Sequence, residues 1–184
     1  MDSLMSDKFQ ELILYIAKEC ETDTYFGATK LNKILFYSDF LSFRETGQSI
    51  SGAEYMRLDN GPVPRNLVPV RDQLISQDDL VIVYRDCLGR TQKRPVTRRE
   101  PDISLFSALE IKTVDRVISK LWNKSATETS ELSHKFIGWK VVENRETIPY
   151  KTAYINKSYA KEFQPKNTTI ESLEKRATEF LSRG

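Results

Sequence analysis

The sequence predicts an α+β fold that is predominantly α-helical, with one antiparallel β-hairpin interrupting the helices. Apolar residues recur at helical spacing over most of the chain, whereas residues 80–85 and 91–96 form two runs of strand type on either side of a turn. No internal repeat or linker divides the 184 residues, and their 39% hydrophobic and 29% charged residues are typical of a soluble globular protein. We therefore expect a single domain spanning residues 1–184.

The first helix is predicted from one apolar stripe, which consists of Phe9, Leu12, Ile13, Ile16, Ala17 and Cys20. This spacing of i, i+3, i+4 and i+7 places the residues on one helix face. Cys20 ends the stripe, which favours a small buried side chain over a reactive thiol. Cys20 and Cys87 lie far apart in dissimilar surroundings, so no disulfide framework is indicated and we expect a reducing compartment.

The second helix, over residues 28–45, is predicted to be the central helix of the domain. Its apolar residues cover most of its circumference and are Leu31, Ile34, Leu35, Phe36, Tyr37, Phe40, Leu41 and Phe43. A helix that is apolar nearly all round is packed by neighbours on several sides. Gly47 follows it and is well placed to end it with a left-handed cap.

Residues 47–63 are predicted to be irregular, because Gly47, Gly52 and the run 60–62 break regular structure. The start of the next helix has two interpretations. The helix begins at Pro64, in which case Pro69 bends its axis. Alternatively, Asn66 caps the helix, and Pro69 then occupies the third position, where a missing N–H costs nothing.

Two capping boxes predict the starts of later helices. Ser107 and Glu110 begin a helix whose inner stripe is Ile111, Val114, Ile118, Leu121 and Trp122. Ser125 and Glu128 begin a shorter helix that carries Phe136 and ends at Gly138. Ahead of these helices, Gly89 supplies the turn of the predicted hairpin, and Pro95 implies that the second strand of the hairpin ends there or lies on an edge. A last helix is predicted over residues 168–183.

The residue types argue against an enzyme. His134 is the single histidine, and its place on a predicted helix near Trp139 favours a structural or interface residue over a general base. No Cys or His spacing suits a metal, and no glycine-rich phosphate loop occurs, so we expect no cofactor. The N-terminal region is acidic and no apolar run approaches the length of a membrane span, so we expect a cytoplasmic protein without membrane contact.

A basic cluster lies on and just after the predicted hairpin and consists of Arg85, Arg90, Lys93, Arg94, Arg98 and Arg99. Such a cluster neutralises phosphates or meets an acidic protein surface. Alternatively, these charges only keep an edge hairpin well solvated and protect it from aggregation. The hairpin follows a helix at residues 64–76, an order shared with winged-helix DNA-binding domains. That helix offers few side chains for base contacts, so nucleic acid is not the favoured partner.

Three blocks, residues 29–40 (TKLNKILFYSDF), 46–55 and 59–65, carry a family resemblance. The first resembles the KLNKLLYFSDF signature of the Panacea domain of the SocA-like antitoxin family, and the other two follow in the family's order and approximate spacing. Further along, residues 131–134, Trp139 and residues 148–150 resemble its later pattern of LS-H, W and IPY. The resemblance covers roughly residues 8–155.

The resemblance implies a non-catalytic antitoxin of bacteria or their phages that neutralises a protein toxin by direct binding. Such an antitoxin acts by occluding the toxin or by handing it to a protease, and the sequence leaves a homo-oligomer open as a further partner. A winged-helix transcription regulator that uses the basic hairpin is the alternative function.

Two groups of residues are expected to carry these roles. The motif residues expected to be structural are Lys30, Leu31, Asn32, Lys33, Asp39, Gly61, Pro62, Pro64, His134 and Trp139. The residues expected to contact a partner are Glu54, Tyr55, Arg57 and Arg65 in the 47–65 segment and Arg90, Lys93 and Arg94 in the hairpin. For Asn32, Lys33 and Asp39 a partner contact remains open. Glu54, Tyr55 and Arg57 form either a contact surface or a hydrogen-bonded lid on the central helix.

Overall fold

The computed structural model describes residues 2–87, 89–155 and 163, and it confirms the predominantly helical α+β class. In this part of the chain the order of elements is α1 (Asp2–Glu19), α2 (Ala28–Thr46), β1 (Tyr55–Leu58), β2 (Gly61–Pro64), α3 (Leu67–Ser76), β3 (Leu80–Cys87), β4 (Arg90–Thr97), α4 (Ala108–Leu121), α5 (Ala126–His134), α6 (Ile137–Val141) and α7 (Thr152–Ile155). The helix predicted over 168–183 lies outside the described residues. None of the described helices is both long and apolar enough to cross a membrane.

Helix α1 is buried along its predicted stripe. All six residues of that stripe are in the core, and Leu14 and Tyr15 are buried as well, so the helix is covered on more than one side. Cys20 is 1% exposed, and burial raises the pKa of its thiol to about 12. The prediction that Cys20 is a buried core residue is confirmed.

Helix α2 is the central helix, as its all-round apolar pattern predicts. It contacts α1, α4, α5, α7, β2 and β4. Phe36 and Phe40 lie at its middle with ring centroids 4.4 Å apart, and Phe136 packs edge-on against both. Gly47 ends the helix with a φ of +79°, and its N–H donates to the Phe43 carbonyl at 2.8 Å. The predicted left-handed cap is therefore confirmed.

The segment predicted to be irregular contains a second antiparallel hairpin, β1–β2, with Leu58 opposite Gly61. Its open edge is paired by a distant segment. The N–H of Arg57 donates to the Glu146 carbonyl at 3.0 Å, the N–H of Arg145 donates to the Arg57 carbonyl at 2.8 Å, and Met56 bridges Thr147. The expectation of a single hairpin was wrong, because this pairing depends on residues about ninety positions away in the chain.

Helix α3 resolves the two interpretations of its start. Asn66 occupies the N-cap position, although its side chain makes no capping hydrogen bond. Pro69 is therefore the third helical residue, where it removes no intrahelical bond. Pro64 belongs to strand β2 and pairs with Tyr55, so the interpretation in which it begins the helix was wrong.

The later elements follow their capping signals at the start but not at the end. Both capping boxes are complete, with Ser107 and Glu110 at α4 and Ser125 with Glu128 at α5. Trp122 follows the last residue of α4 and is 36% exposed, so its assignment to the inner stripe was wrong. The prediction that Gly138 ends α5 was wrong, because α5 ends at His134 and Gly138 lies inside α6. Glycine is needed there for close packing, since a Cβ would meet the Thr152 hydroxyl at 2.3 Å.

Strand β4 is bound to the C-terminal end of α1 by Arg94, which is 3% exposed. Its guanidinium donates to the carbonyls of Asp23 at 2.9 Å, Phe26 at 3.2 Å and Cys20 at 3.1 Å, and also to that of Glu21. These carbonyls belong to the turn that follows α1, and those of Cys20 and Asp23 also accept backbone hydrogen bonds from Asp23 and Phe26. Arg94 was expected to face a partner, and this was wrong because its donors are used within the chain.

Replacing Arg94 with methionine is expected to lower the free energy of unfolding by about 2 to 4 kcal/mol, since four carbonyls then each lose one hydrogen-bond donor. Arg90→Met on the same strand is the matched control, because Arg90 is exposed and forms no ion pair within the described residues. Urea unfolding followed by circular dichroism measures both. Equal stabilities of the two variants would contradict a bridging role for Arg94.

Candidate partner-binding surface

The carboxylate of Asp39 supports the loop between α2 and β1. It lies on the buried helix α2 with no exposed surface. It accepts hydrogen bonds from the N–H groups of Ile50 and Ser51, each at 2.8 Å, from the Ser51 hydroxyl, and from the Tyr55 hydroxyl at 2.6 Å. Burial raises the pKa of Asp39, while these hydrogen bonds act in the opposite direction. A buried carboxylate needs such donors, so Asp39 fixes residues 50–55 in one arrangement.

The turn of the β1–β2 hairpin is held on α2 by Lys33. Its ammonium group is buried and donates to the Pro62 carbonyl at 3.3 Å. Among the described residues it has no acidic partner, and burial lowers its pKa to about 7. Gly61 has a φ of +99°, and a Cβ there would lie 2.3 Å from the Ser133 hydroxyl. The turn therefore requires glycine both for its backbone conformation and for its close approach to α5.

The remaining polar motif residues of α2 also point inward. Lys30 and Asp23 form an ion pair at 2.7 Å in which both side chains are 1% exposed. The Asn32 side-chain oxygen is buried and has no hydrogen-bond partner among the described residues. Leu31 belongs to the core. Lys30, Leu31 and Asp23 are therefore too buried to contact a partner, whereas Asn32 is half-buried.

Three side chains pack β1 against α5 and α6. The Arg57 guanidinium lies 4.3 Å from the Trp139 ring and donates to the Val142 carbonyl. The Trp139 indole N–H donates to the Leu58 carbonyl at 3.0 Å, and His134 stacks on Trp139 at 4.2 Å. Cation–π and stacking contacts of this kind stabilise the hairpin from below. Arg57 thus acts as part of a lid, which is one of the two roles expected for it.

Tyr55 belongs to the same lid and is not a partner contact. It is 1% exposed, and its hydroxyl donates to Asp39. Its expected contact with a partner was wrong, because strand pairing turns its ring toward Phe36 and Phe40 in the core.

Four of the exposed residues around the hairpin form what we call the β1–β2 surface, which consists of Glu54, Arg65, Arg145 and Thr147. Arg65 and Glu54 form an exposed ion pair at 3.7 Å. Arg65 also donates to the Arg145 carbonyl at 2.8 Å and to the Thr147 hydroxyl at 3.0 Å. Glu54 and Arg65 are thus exposed as expected, whereas Arg145 and Thr147 were not predicted, since nothing in their own sequence signals pairing with β1.

The structure leaves fewer basic side chains of the β3–β4 hairpin available to a partner than the sequence predicts. Arg94 is buried, Arg98 pairs with Asp78 at 3.2 Å, and Arg99 pairs with Asp79 at 2.9 Å and also with Glu11. Within the described part of the chain, the members without an ion pair are Arg85, Arg90 and Lys93. Three free cations form a weak electrostatic surface for a DNA duplex, whose binding depends on many phosphate contacts.

A cleft of about 570 Å³ lies between the starts of α2 and α5 and the turn of the β3–β4 hairpin. Its lining includes Tyr25, Lys30, Cys87 and Arg90 but no histidine, aspartate or glutamate. In the described residues no group of three or more His, Cys, Asp or Glu side chains could hold a metal ion.

Together the fold and the site define a class of protein: a predominantly helical α+β domain in which buried polar side chains of the central helix α2 support the β1–β2 hairpin and the loop before it. The chain belongs to the antitoxin SocA-like family with a Panacea domain, whose family model matches residues 31–140. This confirms the family resemblance that the sequence motifs predicted. No curated protein matches the chain, and no solved structure matches it.

Proposed function

We propose that the protein is an antitoxin that neutralises a protein toxin by binding it directly. The observation that carries the proposal is the match to the antitoxin family over residues 31–140, a range that contains most of α2 and the whole β1–β2 hairpin. The toxin is the cognate partner, and an adjacent gene is the first place to look for it.

The β1–β2 surface is the part of the molecule that we assign to toxin binding. Its backbone is held from below by Asp39 and Lys33 and at its edge by the pairing of Arg57 with residues 145–146. A surface that is already ordered loses little conformational entropy when it binds. The surface carries an exposed negative charge at Glu54 and an exposed positive charge at Arg65, which suits contact with a polar surface of a partner protein.

Charge reversal on this surface is expected to abolish neutralisation without unfolding the protein. In Glu54→Lys and in Arg65→Glu, the reversed side chain repels the toxin group that the original side chain attracts. Each variant is expected to weaken binding by about a hundredfold. The neighbouring reading frames are expressed one at a time, with and without the protein. Growth of the cells reports toxicity and its relief, and copurification reports binding.

Arg71→Glu and Asp72→Lys are the matched controls, because these residues form a comparable exposed ion pair at 2.7 Å on α3. They are expected to neutralise the toxin as the unaltered protein does. If every neighbouring frame is harmless and none copurifies, the antitoxin proposal is wrong. If a toxin is found but is neutralised equally well by Glu54→Lys, Arg65→Glu and the controls, the assignment of the surface is wrong.

The amount of toxin in the same cells distinguishes occlusion of the toxin from its delivery to a protease. Occlusion leaves the amount of toxin unchanged, whereas delivery to a protease lowers it when the protein is present. Salt-dependent binding to a promoter duplex, weakened by Arg90→Ala, would instead favour the alternative of a DNA-binding regulator that uses the three free cations of the second hairpin.

A further inference from the structure

Lys33 places a basic group beneath the β1–β2 hairpin without a counter-charge. Its side chain is 1% exposed, and its Nζ donates to the Pro62 carbonyl at 3.3 Å. A buried ammonium group needs an acidic partner, as Lys30 has in Asp23 at 2.7 Å. Among the described residues no ion pair includes Lys33. The closed fold therefore favours the neutral amine over the ammonium form at this position.

The charged side chains on the neighbouring elements do not supply that partner. The hairpin and α5 both pack on α2, and strand β2 also contacts α5. The charged or titratable groups of these elements nearest to Lys33 in the chain are Lys30 and Asp39 on α2, Arg57 and Asp59 on the hairpin, and Glu128, Glu131 and His134 on α5. None of them contributes to the pKa of Lys33, because burial is the sole cause of its lowering.

The turn of the hairpin lies directly on the amine. A Cβ at Gly61 would lie 2.7 Å from the Lys33 Nζ and 2.3 Å from the Ser133 hydroxyl. The turn, α2 and α5 thus meet without room for a water molecule between Gly61 and Lys33. On the outer side of the turn, Asp59 and Asn60 are exposed. The turn is therefore the exposed layer over Lys33, and an ammonium group there gains water when the turn moves outward.

The two ends of the hairpin are held differently. At the open end, Tyr55 is 1% exposed and its hydroxyl donates to the buried Asp39 at 2.6 Å. At the turn end, Leu58 is half-buried, and its carbonyl accepts the Trp139 indole N–H at 3.0 Å. Local openings start where few buried contacts hold the chain. The turn end is therefore the end that can open while the rest of the fold stays intact.

We infer that the turn of the β1–β2 hairpin is a proton-sensitive element, which opens from α2 and α5 when Lys33 takes up a proton and closes on them when the proton is lost. The inference concerns the chain alone. It has one consequence that rests on the proposed function: if a toxin binds the β1–β2 surface, it binds more weakly as the pH falls, because part of the surface is then less ordered.

Proton linkage gives the direction and size of the effect. In the open state the amine is hydrated and has its ordinary pKa of 10.5, whereas in the closed state burial lowers this pKa to about 7. Between these values the open state binds more protons, so the equilibrium constant for opening rises as the pH falls. The constant changes by about tenfold per pH unit in the middle of this window and levels off below about pH 7.

Hydrogen exchange measures this opening in the free protein. The reporters are the amides of Arg57 and Arg145 and the indole N–H of Trp139, whose hydrogen bonds hold β1 to its neighbours. After correction for intrinsic exchange, their opening constants are expected to rise at least about tenfold from pH 9 to pH 7. The reference is the amide of Arg98, which bonds to the Asp79 carbonyl beside the β3–β4 hairpin. Its opening leaves Lys33 buried, so its constant is expected to stay unchanged.

Three variants identify the group that takes up the proton. Lys33→Met is expected to protect the reporters better at pH 7 and to remove their pH dependence. Lys33→Arg keeps the charge at every pH, so its opening constant at pH 9 is expected to be at least that of the unaltered protein at pH 7. His134→Gln is the matched control, because His134 stacks on Trp139 under the same hairpin, and it is expected to retain the pH dependence.

Four results overturn the inference. They are pH-independent opening of the reporters in the unaltered protein, an unchanged pH dependence in Lys33→Met, loss of the pH dependence in His134→Gln, and an equal pH dependence at Arg98. The last result would show that Lys33 meets water only on global unfolding. All four measurements use the chain without a toxin, so a failure of the antitoxin proposal does not affect them.

Discussion

Replacing Asp39 with alanine is expected to lower the free energy of unfolding by about 3 to 5 kcal/mol, because several buried donors lose their acceptor at once. The backbone N–H groups of Ile50 and Ser51 and the hydroxyls of Ser51 and Tyr55 all bond to this carboxylate. None of these donors has access to water, since Ile50, Ser51 and Tyr55 are each at most 2% exposed. Urea unfolding followed by far-ultraviolet circular dichroism measures the loss.

Asp72→Ala is the matched control, because Asp72 bonds to Arg71 on the surface of α3 and its loss costs at most about 1 kcal/mol. Hydrogen exchange provides a local readout. The amides of Ile50 and Ser51 are expected to exchange much faster in Asp39→Ala, whereas those of α1 change only with the global stability. A loss of stability no greater than that of Asp72→Ala would show that the loop is held by other contacts.

Lys33→Met is expected to raise the free energy of unfolding at pH 7, by on the order of 4 kcal/mol. Burial lowers the pKa of Lys33 from 10.5 to about 7, so the folded state releases a proton that the unfolded state keeps. Between pH 7 and about pH 10.5 the unfolded state binds more protons, and the stability of the unaltered protein therefore rises with pH in this window. Methionine has a similar shape and no charge, so the variant does not pay this cost.

The pH dependence separates this effect from simple repacking. Urea unfolding at pH 6, 7, 8, 9 and 10 is expected to show a smaller rise in stability with pH for Lys33→Met than for the unaltered protein. Lys93→Met is the matched control, because Lys93 is exposed on β4. This variant is expected to retain the pH dependence of stability of the unaltered protein. A Lys33→Met variant that is less stable at pH 7 would show that the hydrogen bond to Pro62 outweighs the burial of the amine.

The local patterns of the sequence were sufficient for much of the helical framework. The all-round apolar pattern of residues 28–45 predicted the central helix, and the left-handed cap at Gly47 was confirmed. Both capping boxes, led by Ser107 and Ser125, mark true helix starts. These features depend on residues at most one or two helical turns apart, so a single segment contains the interactions that determine them.

The candidate surface could be predicted only in part. Glu54 and Arg65 were expected to be exposed, and they are. Tyr55 was expected beside them, but its strand position turns it inward to Asp39. Arg94 was expected among free cations, but it bonds to the carbonyls that follow α1. In both cases a polar end on a long side chain fits a surface and an internal hydrogen bond equally well, and the sequence does not distinguish them.

The amino-acid sequence by itself thus determined the helical class, the central helix with its C-terminal cap, the starts of α4 and α5, and the family. Only the tertiary structure decided that residues 55–64 form a hairpin and that Arg145 and Thr147 complete its surface. The physical reason is the range of the interactions. Helix hydrogen bonds and caps join neighbours in sequence, whereas the edge of β1 is satisfied by backbone groups about ninety residues away, whose position depends on how α5 and α6 pack on α2.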